Sequence, residues 1–351
     1  MAASSDIGGE ADAIDGLPLP REQTGVIGHD AAARTLVEAY AGGRMHHAWL
    51  ITGPKGIGKA TLAYRFARYA LSHPDPAQAP TDGPAAIDRI DPRVDAQVAR
   101  GAHPNVMHLS RPLADDGKRF KTVLTVDEVR RAAAFFGNSA GGRGYRIAIV
   151  DAADDMNVNA ANALLKMLEE PPDRAMFLVL CHAPGRLLPT IRSRCRRLGL
   201  DPLGEADLAA ALSSLGLAVE PGDRARLARL AEGSVRKAVE CLSGDGLELA
   251  AAFDALTGDL PRLDRRALHR FADAAAGRKG RDELPLVGEF ARNWLSAQVR
   301  ARAGEGARAA MPFADAHARV ETLLAETEGI NLDRKQAVLD IVQCLADSLR
   351  G

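Results

Sequence analysis

Gly53-Pro54-Lys55-Gly56-Ile57-Gly58-Lys59 is a glycine-rich loop that ends in a lysine, directly after the apolar run 48–52 and directly before a helical pattern. Glycines at positions 53, 56 and 58 let successive backbone N–H groups curl around a phosphate. The N-terminus of the following helix adds partial positive charge, and Lys59 adds a formal one. The strand-loop-helix context favours a nucleotide phosphate loop over a plain glycine-rich turn. The loop then departs from its pattern. Ala60 stands where a Ser or Thr hydroxyl would ligate Mg²⁺, and Thr61 comes one residue late, about 100° further round the helix. Phosphate binding is expected, whereas metal-dependent hydrolysis is in doubt.

A second chemical feature is Ile147-Ala148-Ile149-Val150-Asp151, an apolar strand that ends in a carboxylate. Beside a phosphate loop such a residue holds Mg²⁺ through water. Its plainer reading is a strand-end or helix-capping carboxylate. In ATPases of the AAA+ type a glutamate that polarises the attacking water follows it. Here the next residue is Ala152, and Asp154 and Asp155 have no evident geometry to replace that base. The third feature is Pro189-Thr190-Ile191-Arg192-Ser193-Arg194-Cys195-Arg196-Arg197, with four arginines. An arbitrary basic run is a solvated charged edge. In a chain with a phosphate loop, an arginine such as Arg194 can instead project into a neighbour's nucleotide site and stabilise the transferring phosphoryl group. Its planar fork of five donors suits it to that better than lysine.

The elements that must position these groups follow an α/β pattern from about residue 24 to 200. Apolar strands are expected at 48–52, 106–109, 146–150 and 176–181, with helices at 31–40, 59–72, 126–136 and 159–170. Such alternation implies a parallel sheet covered on both faces. Thr125 and Glu128 have capping-box spacing ahead of the third helix, and Pro171-Pro172 stops the fourth. The segment 73–104, rich in Pro, Ala and Asp, reads as an insertion with at most one short helix. After Pro202 the β signal ends. Short helices are expected at 205–215, 223–231 and 234–242, and longer ones from 246 onward. In the last of these Leu332, Leu339, Val342, Leu345, Ala346 and Leu349 form a stripe.

With 351 residues and 46% apolar content, the chain can bury the cores of two or three domains without staples. It contains no run of about eighteen apolar residues, so a membrane span is not expected. Residues 1–17 are small and acidic, which reads as a loose tail and not as a secretion signal. Cys181, Cys195, Cys241 and Cys344 are too scattered for a metal knuckle and read as free thiols of a cytoplasmic protein. A net charge of −1 gives no bulk attraction to DNA or an anionic membrane.

Several motifs in order carry a resemblance. Ser193-Arg194-Cys195 resembles the Ser-Arg-Cys motif of the clamp-loader AAA+ family, and 159–172, Asn-Ala-Ala-Asn-Ala-Leu-Leu-Lys-Met-Leu-Glu-Glu-Pro-Pro, resembles the signature helix of its bacterial members. The helix entry 125–130, His103-Pro104-Asn105-Val106 and the segment 331–337 are similar to the delta-prime subunits of bacterial DNA polymerase III. The resemblance implies an α/β class joined to an all-α part. Its domains would be an AAA+ nucleotide-binding-type domain at 18–200 with the insertion 73–104, a three-helix lid at 201–245 and a helical oligomerisation collar at 246–351. It implies a stator that helps load the sliding clamp onto primed DNA and lends Arg194 as an arginine finger in trans, with Ser193 and Cys195 setting the loop that aims it. The nucleotide-binding residues would be Gly53, Gly56, Gly58, Lys59, Thr61, Asp151 and Arg236, the last from the sensor-2-like Gly233-Ser234-Val235-Arg236, while Val26-Ile27-Gly28 would flank the adenine. Partners would be the ATPase subunits and delta in a hetero-pentamer, with clamp and primed DNA reached through that complex.

Within that family some members carry a cysteine-rich zinc module after the first helix. The segment 73–104 has no cysteine, and His73 and His103 are two isolated ligands, so no metal and no zinc are expected. Retention of Lys59 implies weak, non-hydrolysed binding of ATP or ADP. Two other readings compete. A competent AAA+ ATPase, such as a motor or helicase loader, is opposed by Ala60 and Ala152. A phosphate-loop kinase would leave the helical last third without a role. Arg192, Arg196, Arg197, Lys118, Arg119 and Lys121 are candidates for phosphate contacts with DNA, whereas stacking on single strands is unsupported at 4% aromatic content.

Overall fold

The computed structural model describes residues 11–82, 84–114, 119–137, 144–243, 245–276, 283–330 and 333–350. Lys118, Asn331 and Leu332 lie outside them. The elements run α1 Asp30–Ala41, β1 Ala48–Thr52, α2 Lys59–Ser72, α3 Pro92–Ala99, β2 Val106–Leu109, α4 Val126–Gly137, β3 Arg146–Val150, α5 Val158–Glu169, β4 Ala175–Cys181, α6 Pro189–Ser193 and β5 Arg196–Gly199. Then come α7 Glu205–Ser214, α8 Arg224–Ala231, α9 Val235–Leu242, α10 Gly246–Gly258, α11 Arg265–Ala275, α12 Leu284–Arg302, α13 Ala307–Ile330 and α14 Arg334–Ser348. An α/β part followed by helices is the expected class. Among the described residues no helix is long and apolar enough to cross a membrane.

The five strands form one parallel sheet in the order β2-β3-β4-β1-β5. Side chains alternate across it. Trp49, Ile51, Ile147, Ile149, Leu178 and Leu180 pack with α1 and α2 on one face. Leu50, Ala148, Val150, Phe177 and Val179 pack with α4 and α5 on the other. Burial on both faces is why these strands read as unbroken apolar runs. The fifth strand has no such run. Only Leu198 is buried in Arg196-Arg197-Leu198-Gly199, because it is an edge strand held by its register against β1, from Trp49 opposite Arg196 to Thr52 opposite Gly199. The Arg196 guanidinium lies 4.7 Å from the Trp49 ring centre. The expected arginine cluster is thus divided between a short helix and an edge strand.

The insertion is more ordered than its composition suggests. Asp91 caps α3 by accepting from the backbone N–H of Arg93, with Pro92 in the first turn. Two buried arginines on α2 hold the segment, Arg65 Nε at 2.7 Å from Asp88 and Arg68 Nε at 2.7 Å from Asp95. His73 faces the Arg89 carbonyl at 2.8 Å, and His103 Nδ1 accepts from the Asn105 N–H. Among the described residues, no group of three or more His, Cys, Asp or Glu comes together as a metal site.

Contacts divide the chain into two compact units, 1–224 with 231–237, and 225–230 with 238–351. The α7 helix groups with the α/β part, while the middle of α8 groups with the C-terminal helices, where Arg229 Nη2 lies 2.5 Å from Asp254 of α10. In this second unit Phe253, Phe271 and Phe290 form the aromatic centre, with ring centres 6.0 and 5.5 Å from Phe253. The stripe expected on the last helix lies within a wider buried arc. Val338 and Ile341 are fully buried with Val342, Leu345 and Ala346, whereas Leu339 and Leu349 are half-buried. Several helices pack on α14, so a wider arc is covered than a single stripe.

Candidate functional site

The phosphate loop joins β1 to α2, and its glycines take up backbone conformations that suit no other residue. Gly53, Gly56 and Gly58 have φ of +150°, +80° and +105°. A Cβ on Gly56 would sit 2.4 Å from Arg236 Cβ and 2.5 Å from Ser234 Oγ. That crowding records how the start of α9 lies on the loop. The Val235 N–H donates to the Gly56 carbonyl at 2.9 Å, and the Ser234 hydroxyl donates to the Lys55 carbonyl at 2.9 Å. His29, buried at the start of α1, supports the loop from beneath, with Nε2 2.6 Å from the Ile57 carbonyl. The tertiary structure thus brings Gly53, Gly56, Gly58, Lys59 and Arg236 together.

Lys59 is turned inward. Its Nζ donates to the carbonyls of Gly53 and Pro54, each at 2.7 Å, and the side chain is buried. Burial pushes the ammonium down to about 8, against the pull of Asp151 and Asp154. Asp151 stands at the end of β3 with a carboxylate oxygen 3.9 Å from His108 Nε2. Ala60 packs against the core beneath the sheet, and Ala152 is buried. Thr61 follows on α2, half-buried.

The two later aspartates already have partners. Asp154 accepts the backbone N–H groups of His182 and Ala183 at 2.9 and 3.0 Å. Burial would raise its pKa, and these hydrogen bonds hold it below the ordinary value. Asp155 lies 3.3 Å from Arg111 Nε. Both carboxylates are thus engaged by groups of this chain.

Three residues at this loop carry no motif of their own in the sequence, His29, Arg111 and Asp12, while Ser234 enters only as a member of the sensor-2-like motif. Residues 1–10 of the expected loose tail lie outside the described residues, but 11–17 form turns. The Asp12 carboxylate lies 2.7 Å from Lys55 Nζ and 3.1 Å from Arg111 Nη2, and its backbone carbonyl accepts from the Arg236 guanidinium. Burial would raise the Asp12 pKa, yet Lys55, Arg111 and Arg236 together hold it below the ordinary carboxylate value. The only sequence signal was the acidity of the tail.

Arg194 is engaged elsewhere. Its Nη2 lies 2.8 Å from Glu169 Oε1 at the end of α5, and its Nη1 donates to the Thr190 carbonyl at 3.1 Å. About a third of the side chain is exposed. The Ser193 hydroxyl also donates to the Thr190 carbonyl, and Cys195 is buried with Ile191 and Leu187. These neighbours fix the corner from which Arg194 projects. In the sequence Glu169 belongs to the helix motif 159–172, and its contact with Arg194 leaves no local signal there.

Comparison with known proteins adds the following. A family model described as DNA polymerase III, delta subunit, matches residues 28–204, just over half of the chain. DNA polymerase III subunit delta' of Pseudomonas aeruginosa is 40% identical over 156 residues, 44% of this chain and 43% of that protein. Its counterpart in Escherichia coli K12 is 33% identical over 247 residues, 68% of this chain and 69% of that protein. The tau subunit of Bacillus subtilis is 28% identical over 256 residues, 70% of this chain and 42% of that protein. The chain thus spans less than half the length of the first and third of these. A gamma subunit-related protein of Thermotoga maritima aligns at a TM-score of 0.41 and 17% identity, covering 91% of this chain and 99% of that one. The chain therefore belongs to the DNA polymerase III delta subunit family, among relatives that are delta' subunits.

Proposed function

We propose that this chain is a delta'-type stator of a clamp loader, a subunit that does not hydrolyse ATP itself and presents Arg194 to the nucleotide held by a neighbouring subunit. The observation that carries the reading is the contrast between two sites. At the chain's own loop Ala60 and Ala152 replace the metal-ligating hydroxyl and the water-activating glutamate, and Lys59 is folded back onto Gly53 and Pro54. At the other, an arginine with part of its surface in solvent is pre-aimed by Glu169 and Thr190. A positioned guanidinium loses little freedom when it meets a phosphate, which suits a part that must act in trans.

In this reading the loop keeps weak, non-hydrolysed affinity for ATP or ADP through Gly53, Gly56, Gly58, Lys59, Thr61, Asp151 and Arg236, and no zinc is required. The partners are the ATPase subunits and delta in a hetero-pentamer in the cytoplasm, with clamp and primed DNA contacted through the assembly. The test is ATP hydrolysis by the reconstituted loader, stimulated by clamp and primed DNA, with wild type or Arg194→Ala. An arginine finger contributes about 10³ to 10⁵ in rate. A loss approaching the rate without this subunit, in an assembly that still forms by gel filtration, is expected. Unchanged turnover removes the role of Arg194 and leaves an architectural subunit.

A further inference from the structure

The phosphate loop has an acidic occupant from its own chain. Asp12 reaches across 43 residues of sequence to Lys55, across 99 to Arg111 and across 224 to Arg236. Three cationic side chains from three separate parts of the α/β unit meet one short segment. Lys55 belongs to the loop itself, Arg111 follows β2, and Arg236 lies on the first turn of α9 against Gly56. Carboxylate and phosphate oxygens take the same charge-assisted hydrogen bonds from such donors. A cluster that binds the first is chemically fit for the second.

We infer that the segment around Asp12 is a built-in competitor of nucleotide: its carboxylate and carbonyl occupy Lys55, Arg111 and Arg236, which otherwise hold the polyphosphate of a nucleoside di- or triphosphate. This rests on the reading of the loop as a nucleotide site and adds two things to it. Arg111 becomes a further phosphate-binding residue, held in place by Asp155 at 3.3 Å, and the affinity of the site becomes regulated from within the chain. The energetics are consistent. A tethered group acts at an effective concentration in the millimolar range, enough to hold a weak ligand out. If the segment is docked about nine tenths of the time, the apparent Kd of the nucleotide rises about tenfold over its intrinsic value.

The test is fluorescence anisotropy of N-methylanthraniloyl-ADP with the full chain, comparing wild type, Asp12→Ala, Asp12→Glu, Lys59→Ala and the double variant Asp12→Ala/Arg111→Ala. Thermal melts check that each is folded. Asp12→Ala is expected to bind about tenfold more tightly than wild type, with Asp12→Glu close to wild type because it keeps the carboxylate. Adding Arg111→Ala to Asp12→Ala is expected to weaken binding again. If Asp12→Ala binds no better than wild type while Lys59→Ala abolishes binding, the competitor is overturned and the nucleotide site stands. If neither wild type nor Asp12→Ala binds at millimolar probe, the nucleotide site itself falls, and the competitor with it.

Discussion

Lys59 carries a charge in a place that penalises charge, and the consequence can be measured. In the unfolded chain its proton is held up to about 10.5, while in the fold burial lowers the pKa to about 8. Between these values the unfolded state binds more protons, so the contribution of this residue to stability rises with pH from about 8 to 10.5 and is lowest below 8. The wild type should therefore gain relative to Lys59→Met on passing from pH 7 to pH 10.5, by roughly 2 to 4 kcal/mol at the full shift, as read from paired urea titrations. A parallel slope in both proteins would show that the ammonium is not strained by burial. The same protonation governs phosphate attraction, so nucleotide affinity should fall as pH rises through about 8. The lysine and its glycines were legible in the sequence because their spacing is local. Its inward contacts were not, since they depend on how the loop closes.

Between elements, the strand-loop-helix unit explains the candidate site only when α9 is added to it. Gly56 is where they meet. Its φ of +80° and the absence of a side chain allow Ser234 and Arg236 to approach. Gly56→Ala should cost roughly 1 to 3 kcal/mol through strain and the displaced helix start, seen as a lower urea midpoint, together with weaker nucleotide binding. An unchanged midpoint would mean that α9 yields freely, and the loop would then not depend on it. The insertion teaches a related lesson. Its composition suggested a loop with one short helix, but not that Arg65 and Arg68 on α2 hold it through Asp88 and Asp95. Their partners lie some twenty or more residues away, and periodicity carries no information about such pairs.

The molecule as a whole offers a probe of its two compact units in its four cysteines. Cys181 and Cys195 lie in the first unit, Cys241 and Cys344 in the second, and all four are buried. Burial raises the thiols of Cys181 to about 12, helped by Asp154, and of Cys195 to about 11, and it also raises Cys344. A thiol with so little thiolate and no access to solvent reacts poorly. Native protein should therefore show almost no reaction with a thiol reagent at pH 7.5, and full reaction on unfolding. Peptide mapping at increasing urea should reveal whether the two pairs become reactive together or separately. Rapid labelling in native buffer at Cys181 or Cys195 would contradict the packing around the phosphate loop and the Arg194 corner.

The sequence by itself determined what depends on near neighbours: four strands, three of them central with apolar runs that reflect a sheet covered on both faces, the helices between them, the phosphate loop, and the motif around Arg194. The tertiary structure decided what depends on distant partners. It added β5, a charged edge strand whose evidence is its pairing with β1. It also placed the middle of α8 with the C-terminal helices, Glu169 on Arg194 and Asp12 on Lys55, Arg111 and Arg236. Ion pairs and edge pairing leave no period along a chain, because the residues that make them are brought together only when the cores around them have closed.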